Sequence, residues 1–258
     1  MFKKIQRGVN PKINSEVVNK TYVPLMRGHL SVVTNKMADI DKVKVLVVGD
    51  SGVGKTSLVH LICHDELCPA PSATIGCSVE VKLHEYRAGT PAERDFFVEL
   101  WDIGGAASHA NSRSIFYHQV HGIILVHDLT NRKSHQNLRK WLAETLSKDE
   151  VKSNSGYSYD PEQFAGNQVP ILVIGTKADS AESLRERNAL RPSSIADECS
   201  ADEFSLDNLQ VKSLAPGSTN AVKLSKFFDK VVERKVASFQ AHHSAPQVRR
   251  YRKNSHND

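Results

Sequence analysis

The chain has 258 residues, 40% of them hydrophobic and 24% charged, an ordinary globular composition with length to spare beyond one core. The net charge of +5 resides at the ends: residues 1–36 carry seven Lys/Arg against Glu16, and residues 241–258 carry four against Asp258. The body between is therefore acidic, which argues against nucleic-acid binding; no apolar run approaches the roughly 20 residues of a membrane span, and Met1-Phe2-Lys3-Lys4 leads into polar sequence and not into a signal-peptide block.

Residues 1–36 read as a basic, disordered extension. Val43-Lys44-Val45-Leu46-Val47-Val48 reads as a buried strand. It runs into Gly49-Asp50-Ser51-Gly52-Val53-Gly54-Lys55-Thr56, which satisfies the phosphate-loop pattern of Gly, four residues, Gly-Lys-Thr. The glycines let the backbone of Ser51, Gly52, Val53 and Gly54 wrap a diphosphate with N–H groups. The helix that opens at Lys55, Thr56 and Ser57 adds its positive dipole end. In that arrangement Lys55 reaches the terminal phosphates and the Thr56 hydroxyl ligates Mg²⁺. His60-x-x-Cys63-His64 on this helix has metal-ligand spacing but no partner group nearby in sequence, and reads as helix surface and core edge. The four cysteines, Cys63, Cys68, Cys77 and Cys199, lack disulfide or zinc spacing and fit reduced thiols in a cytoplasmic protein.

Further on, Val79, Val81 and Leu83 alternate with polar residues, Ala88-Gly89-Thr90-Pro91 turns, and Phe96 to Trp101 returns as a second strand. Gly122-Ile123-Ile124-Leu125-Val126 is a continuous apolar strand, and Leu138, Trp141, Leu142 and Leu146 have helical spacing. Residues 147–168 read as a surface insertion, and Val169 to Ile174 resumes the sheet. Acidic Asp197 to Asp207 reads as another surface loop. A closing helix places Leu224, Phe227, Phe228, Val231 and Val232 on one stripe. The alternation predicts an α/β fold: a mostly parallel six-stranded sheet with one antiparallel edge strand and helices on both faces. The globular domain spans 37–240, and 241–258 forms a basic disordered tail.

Two strand ends narrow the chemistry. Trp101-Asp102-Ile103-Gly104-Gly105 places a carboxylate where it suits water-bridged Mg²⁺, and the Gly105 N–H where it can meet a γ-phosphate. Gly175-Thr176-Lys177-Ala178-Asp179 places a carboxylate that can accept two hydrogen bonds from a guanine edge, with the Lys177 stem over the base.

On these motifs the chain resembles the Ras superfamily of small GTPases and, within it, the Rab branch. Thr74-Ile75-Gly76 is similar to the first switch segment, and His121 to Asn131 to the family's fourth strand and turn. Trp101 to Gly105, Val126 to Trp141, Tyr159 to Phe164 and Gly217 to Ser225 are similar to a Rab-like subfamily. The resemblance implies GTP or GDP with Mg²⁺ as cofactors, and Thr56, Thr74 and Asp102 as the metal set. It implies Lys55, Thr74 and Gly105 as the catalytic groups, and Thr176, Lys177 and Asp179 on the base. A loosely matched last base motif falls at Gly217 and Ser218. It also implies a homodimer with regulatory proteins of other small GTPases as partners.

Departures from the family pattern reshape the expected function. Ala106 stands where the family places a water-orienting glutamine, and Ala106 to Asn111 lacks the usual aromatic of the second switch. Thr176 replaces an Asn, and Leu67 stands where relatives often place an aromatic against the guanine. No cysteine follows Cys199, so a prenyl anchor is not expected, and the basic ends would give at most weak attraction to an anionic membrane surface. The expected function is a regulatory switch with slow intrinsic hydrolysis. The alternatives are a nearly non-hydrolysing dimeric scaffold and, less favoured, a vesicle-trafficking Rab.

Overall fold

The computed structural model describes residues 41–146, 169–180 and 195–244. Every described residue belongs to the unit Ile40–Asp258. The expected extension at 1–36, the insertion at 147–168 and the end of the tail lie outside the described residues.

The elements run β1 Asp41–Val48, α1 Lys55–His64, β2 Cys77–Tyr86, β3 Arg94–Ile103, a 3-10 helix Ala107–Phe116 and β4 Gly122–Asp128. They continue with α2 Arg132–Leu146, β5 Ile171–Thr176, α3 Ile195–Glu198, β6 Asp202–Ser205, a 3-10 turn Val211–Leu214 and α4 Thr219–Ser244. The six strands form one sheet in the order β2-β3-β1-β4-β5-β6. Only the β2–β3 hairpin is antiparallel; β1 pairs in parallel with β3 and β4, and β5 with β4 and β6. This is the α/β architecture the alternation predicts.

Alternate residues of β1 feed cores on opposite faces, the period of two that a strand imposes. Val43, Val45 and Val47 pack with Leu58 and Leu61 of α1 and with Phe227, Phe228 and Val231 of α4. Leu46 and Val48 pack with Leu138, Trp141 and Leu142 of α2 and Ile195 of α3. The whole predicted stripe of α4 is buried. Each such large apolar side chain stabilises the fold by about 1.5–3 kcal/mol.

Two boundaries differ from expectation. The acidic stretch from Asp197 to Asp207, expected as a loop, contains the end of α3 and the edge strand β6. Its large apolar side chains are Phe204 and Leu206, and its charge is offset from α4. Lys230 Nζ lies 2.8 Å from Asp202 Oδ2, Lys223 Nζ donates to the Glu203 carbonyl at 2.8 Å, and these lysines hold the Asp202 carboxyl below its usual range. Helix α4 continues to Ser244, four residues into the expected tail. Extending a formed helix adds one bond per residue, and nothing in the sequence interrupts it before Pro246.

His121, leading into β4, accepts the Lys44 N–H on Nδ1 at 3.0 Å. Burial, with Lys235, Arg234 and Lys44 nearby, pushes its imidazole down from 6.5 to about 4. The unfolded chain therefore takes up a proton that the fold refuses. The stabilisation from this group is complete above pH 6.5 and is lost as pH falls from 6.5 towards about 4. Melting temperatures across that window should fall less steeply for His121→Gln than for the parent chain. Parallel slopes would contradict this assignment.

Candidate nucleotide and cation site

The turn between β1 and α1 is shaped by backbone that only glycine adopts cheaply. Gly54, the N-cap of α1, sits at φ 94° and ψ 21°. The Lys55 ammonium folds back over the loop, donating to the Gly49 and Asp50 carbonyls at 2.9 Å each. Lys55 is 6% exposed, and its burial lowers the pKa while Asp102 and Asp50 oppose that shift. A cation held in so dry a place is a strong electrostatic partner for any anion that enters.

Three oxygens converge beside it from three separate elements. The Thr56 hydroxyl, in the first turn of α1, donates to Asp102 Oδ2 at 2.6 Å. The Thr74 hydroxyl, from the segment leading into β2, donates to the same oxygen at 2.9 Å, and the two hydroxyls lie 3.0 Å apart. Asp102 Oδ1 is buried with no hydrogen-bond partner. Burial raises the Asp102 pKa against the opposing effects of Thr56, Lys55 and Thr74. The carboxylate is thus short of countercharge, and a hard divalent cation at this all-oxygen set is what the chemistry accommodates. The predicted metal residues Thr56, Thr74 and Asp102 are brought together, and Mg²⁺ fits them.

Gly105 closes the site from the β3 side. A Cβ there would lie 2.4 Å from the Ser51 nitrogen and 2.6 Å from the Asp50 carbonyl carbon, so only glycine lets this segment lie against the phosphate loop. Gly104 donates its N–H to the Gly76 carbonyl at 2.9 Å, tying the same segment to the stretch after Thr74. Ser51 and Gly52 are exposed at the loop's tip, Val53 is buried, and Ser57 lies half-buried in the first turn of α1.

On the base side, Thr176 is fully buried at the end of β5. Its hydroxyl lies 2.6 Å from the Val53 carbonyl and 3.0 Å from the His127 carbonyl. The threonine thus keeps a side-chain bond to the phosphate loop where the family pattern has Asn. Lys177, at φ 58°, donates to Asp128 Oδ2 at 2.6 Å and to the Gly52 carbonyl at 3.1 Å. Asp179 is exposed, and its Oδ2 accepts the neighbouring Ser180 hydroxyl at 2.8 Å. Leu67 is 43% exposed.

Gly217 and Ser218 are placed elsewhere. They lead into α4, where the Ser218 hydroxyl accepts the Ala221 N–H at 3.2 Å as an N-cap. The residue that meets the phosphate loop from that direction is Asn208, just after β6. Its Nδ2 donates to the Gly54 carbonyl at 3.0 Å, and its Oδ1 is buried without a partner. The signal available in sequence was position: Leu206-Asp207-Asn208 directly follows a strand end, whereas Pro216-Gly217-Ser218 precedes a helix.

A second set of residues was not legible in advance. Asp50 accepts the Trp141 indole N–H on Oδ1 at 2.8 Å and the Asn137 amide on Oδ2 at 2.7 Å, fixing the loop to α2. Arg113, 5% exposed, stacks over Trp141 at 4.3 Å. It forks onto Glu144 at 2.8 and 3.0 Å and donates to the Ala106 carbonyl at 3.1 Å. Tyr117 adds its hydroxyl to Glu144 at 2.6 Å. The backbone that follows Gly105 is therefore bolted to α2.

Comparison with known proteins agrees with this geometry. Residues 44–155 match the family model described as Ras of Complex, Roc, domain of DAPkinase. The chain is 52% identical over 207 residues to Rab-like protein 3 of Mus musculus, covering 77% of this chain and 88% of that protein. It is 51% identical over 207 residues to Rab-like protein 3 of Homo sapiens, with the same coverage. A small GTPase of Arabidopsis thaliana is 36% identical over 234 residues, covering 80% of this chain and 66% of the plant protein. With the phosphate loop, the three converging oxygens and the sheet order in place, the chain belongs to the Ras superfamily of small GTPases, close to Rab-like protein 3.

Proposed function

We propose that this chain binds GTP and GDP with Mg²⁺ and acts as a regulatory switch whose unaided hydrolysis is slow. The observation that carries the reading is the buried Asp102 carboxylate, held by Thr56 and Thr74 on one oxygen and unpartnered on the other. Thr56, Thr74 and Asp102 would hold the cation, which supplies neutralisation of phosphate charge when bound. Lys55 sets a desolvated ammonium at the terminal phosphates, and the loop N–H groups and α1 dipole receive the rest of the diphosphate. Gly105 offers its N–H to the γ-phosphate, so that Thr74 and Gly105 both respond to its presence. Lys177 and Asp179 take the base, with Thr176 and Asn208 steadying the loop beneath it. Residues 37–240 form the working domain in this reading.

Slow turnover follows from Ala106, whose methyl group can neither orient nor polarise water. The Ala106 carbonyl is also held by Arg113, which limits how far the segment can swing. That tether gives specific support to a second reading, a loaded scaffold that hardly hydrolyses. By resemblance, either form would act as a homodimer in the cytoplasm among regulators of other small GTPases.

Lys55→Ala should abolish nucleotide binding, read by fluorescent-nucleotide titration; micromolar GTP affinity retained by a folded variant would contradict the site. Ala106→Gln should speed single-turnover phosphate release if water positioning is the missing element. An unchanged rate would point instead to the Arg113 tether as the limit.

A further inference from the structure

His127 presents an unexplained cost. It lies on β4 at 4% exposure, and neither Nδ1 nor Nε2 has a hydrogen-bond partner. A buried imidazole always carries at least one N–H, and leaving such a group without a partner is unfavourable. Two other groups able to ligate a metal face it. The Glu203 carboxylate, on β6, has Oε1 3.8 Å from His127 Nε2, and the His135 ring, in the first turn of α2, packs edge-on with centroids 4.8 Å apart. One ligand atom from each of the three lies within 4.8 Å of the others.

The fold makes this meeting possible through Gly175. That residue pairs with His127 on one side and Ser205 on the other, so β5 separates β4 from β6. A Cβ at Gly175 would stand 3.2 Å from His127 Nε2 and 2.7 Å from a Leu129 methyl. Without it, the imidazole reaches across β5 towards Glu203. Glu203 is 31% exposed, which leaves a path from solvent to the buried ring.

We propose that His127, His135 and Glu203 form a binding site for a divalent transition-metal ion of the Zn²⁺ type, separate from the oxygen set at Asp102. Two imidazoles and one carboxylate with a fourth position left to water is a ligand set that Zn²⁺ takes, and the hard, all-oxygen preference of Mg²⁺ disfavours it here. The ion would give the orphaned His127 ring its partner and join β4, β6 and α2. Because the His127 carbonyl also receives the Thr176 hydroxyl, the ion would brace the strand end that carries the base side of the nucleotide site.

Among the described residues one other triad has comparable spacing, His60, His64 and Glu80. Glu80 on β2 is the partner that the helix motif lacked in sequence, and Cys63 is not part of the group. There the His64 ring already bonds Glu80 at 2.9 Å and is 51% exposed, so no unmet demand exists.

The test is Zn²⁺ titration of the full chain against a chromophoric chelator, in excess Mg²⁺ so that the phosphate-side oxygens are competed. The expected result is one tight equivalent, weakened roughly 10-fold or more by His135→Ala and by Glu203→Gln, at least the loss that an outer-shell partner causes, and unaffected by His64→Ala. Circular dichroism of each variant separates lost binding from lost fold, and His135→Ala and Glu203→Gln serve as independent checks. No stoichiometric uptake overturns the proposal. So does uptake that survives both His135→Ala and Glu203→Gln, or that disappears only with His64→Ala.

Discussion

A carboxylate removed from water must be answered by something, and the nucleotide end of this molecule is arranged around that demand. Asp102 stands near the end of β3, the strand between β2 and β1 in the sheet, with burial opposing its charge. One of its oxygens gathers Thr56 from the phosphate-loop helix and Thr74 from the segment before β2. Those two residues are 18 apart in sequence, and Asp102 is 28 beyond the second. Three elements thus owe their relative position to one side chain. The remaining oxygen is buried without a hydrogen-bond partner, and in the proposed function it is the one that would meet the cation.

The site has a rigid side and a responsive side. Asp50 ties the phosphate loop to α2 through Trp141 and Asn137, and Arg113 ties the backbone after Gly105 to the same helix through Glu144 and the Trp141 ring. A buried bidentate pair of this kind gives little net stability when intact, but removing one partner alone costs about 3–5 kcal/mol. Through it the Ala106 carbonyl is held to Arg113. In the proposed function, the lack of a water-orienting group at Ala106 and the restraint of its backbone would act in the same direction. On the opposite side of the site Thr74 is held through Asp102 and the stretch after it through Gly104, while Ile75 between them is 82% accessible.

Much of this was written plainly in the sequence. The phosphate loop, the hairpin and the apolar runs of β1, β4 and β5 are local signals, each a motif or a period carried by neighbouring residues. The residues that escaped notice depend on distance. Trp141 and Asp50 are 91 positions apart, and nothing local marks an indole as a loop anchor. Strand β6 hid inside an acidic stretch because its charges are answered by lysines of α4, not by its own neighbours. Asn208 was missed for the same reason, since linear order suggested Gly217 and Ser218 while the fold brings the loop after β6 to Gly54. Likewise the approach of His127 to Glu203 depends on Gly175 standing between their strands, which no periodicity reveals.

The central claim is that this site holds guanine nucleotide and turns it over slowly because Ala106 cannot position water. The most direct measurement is the identity of the nucleotide that purifies with the protein, released by denaturation and resolved by ion-exchange chromatography. Mostly GTP is the expected result. A protein loaded with GDP would contradict slow hydrolysis, and one carrying no guanine nucleotide, and taking up none when offered, would contradict the site itself.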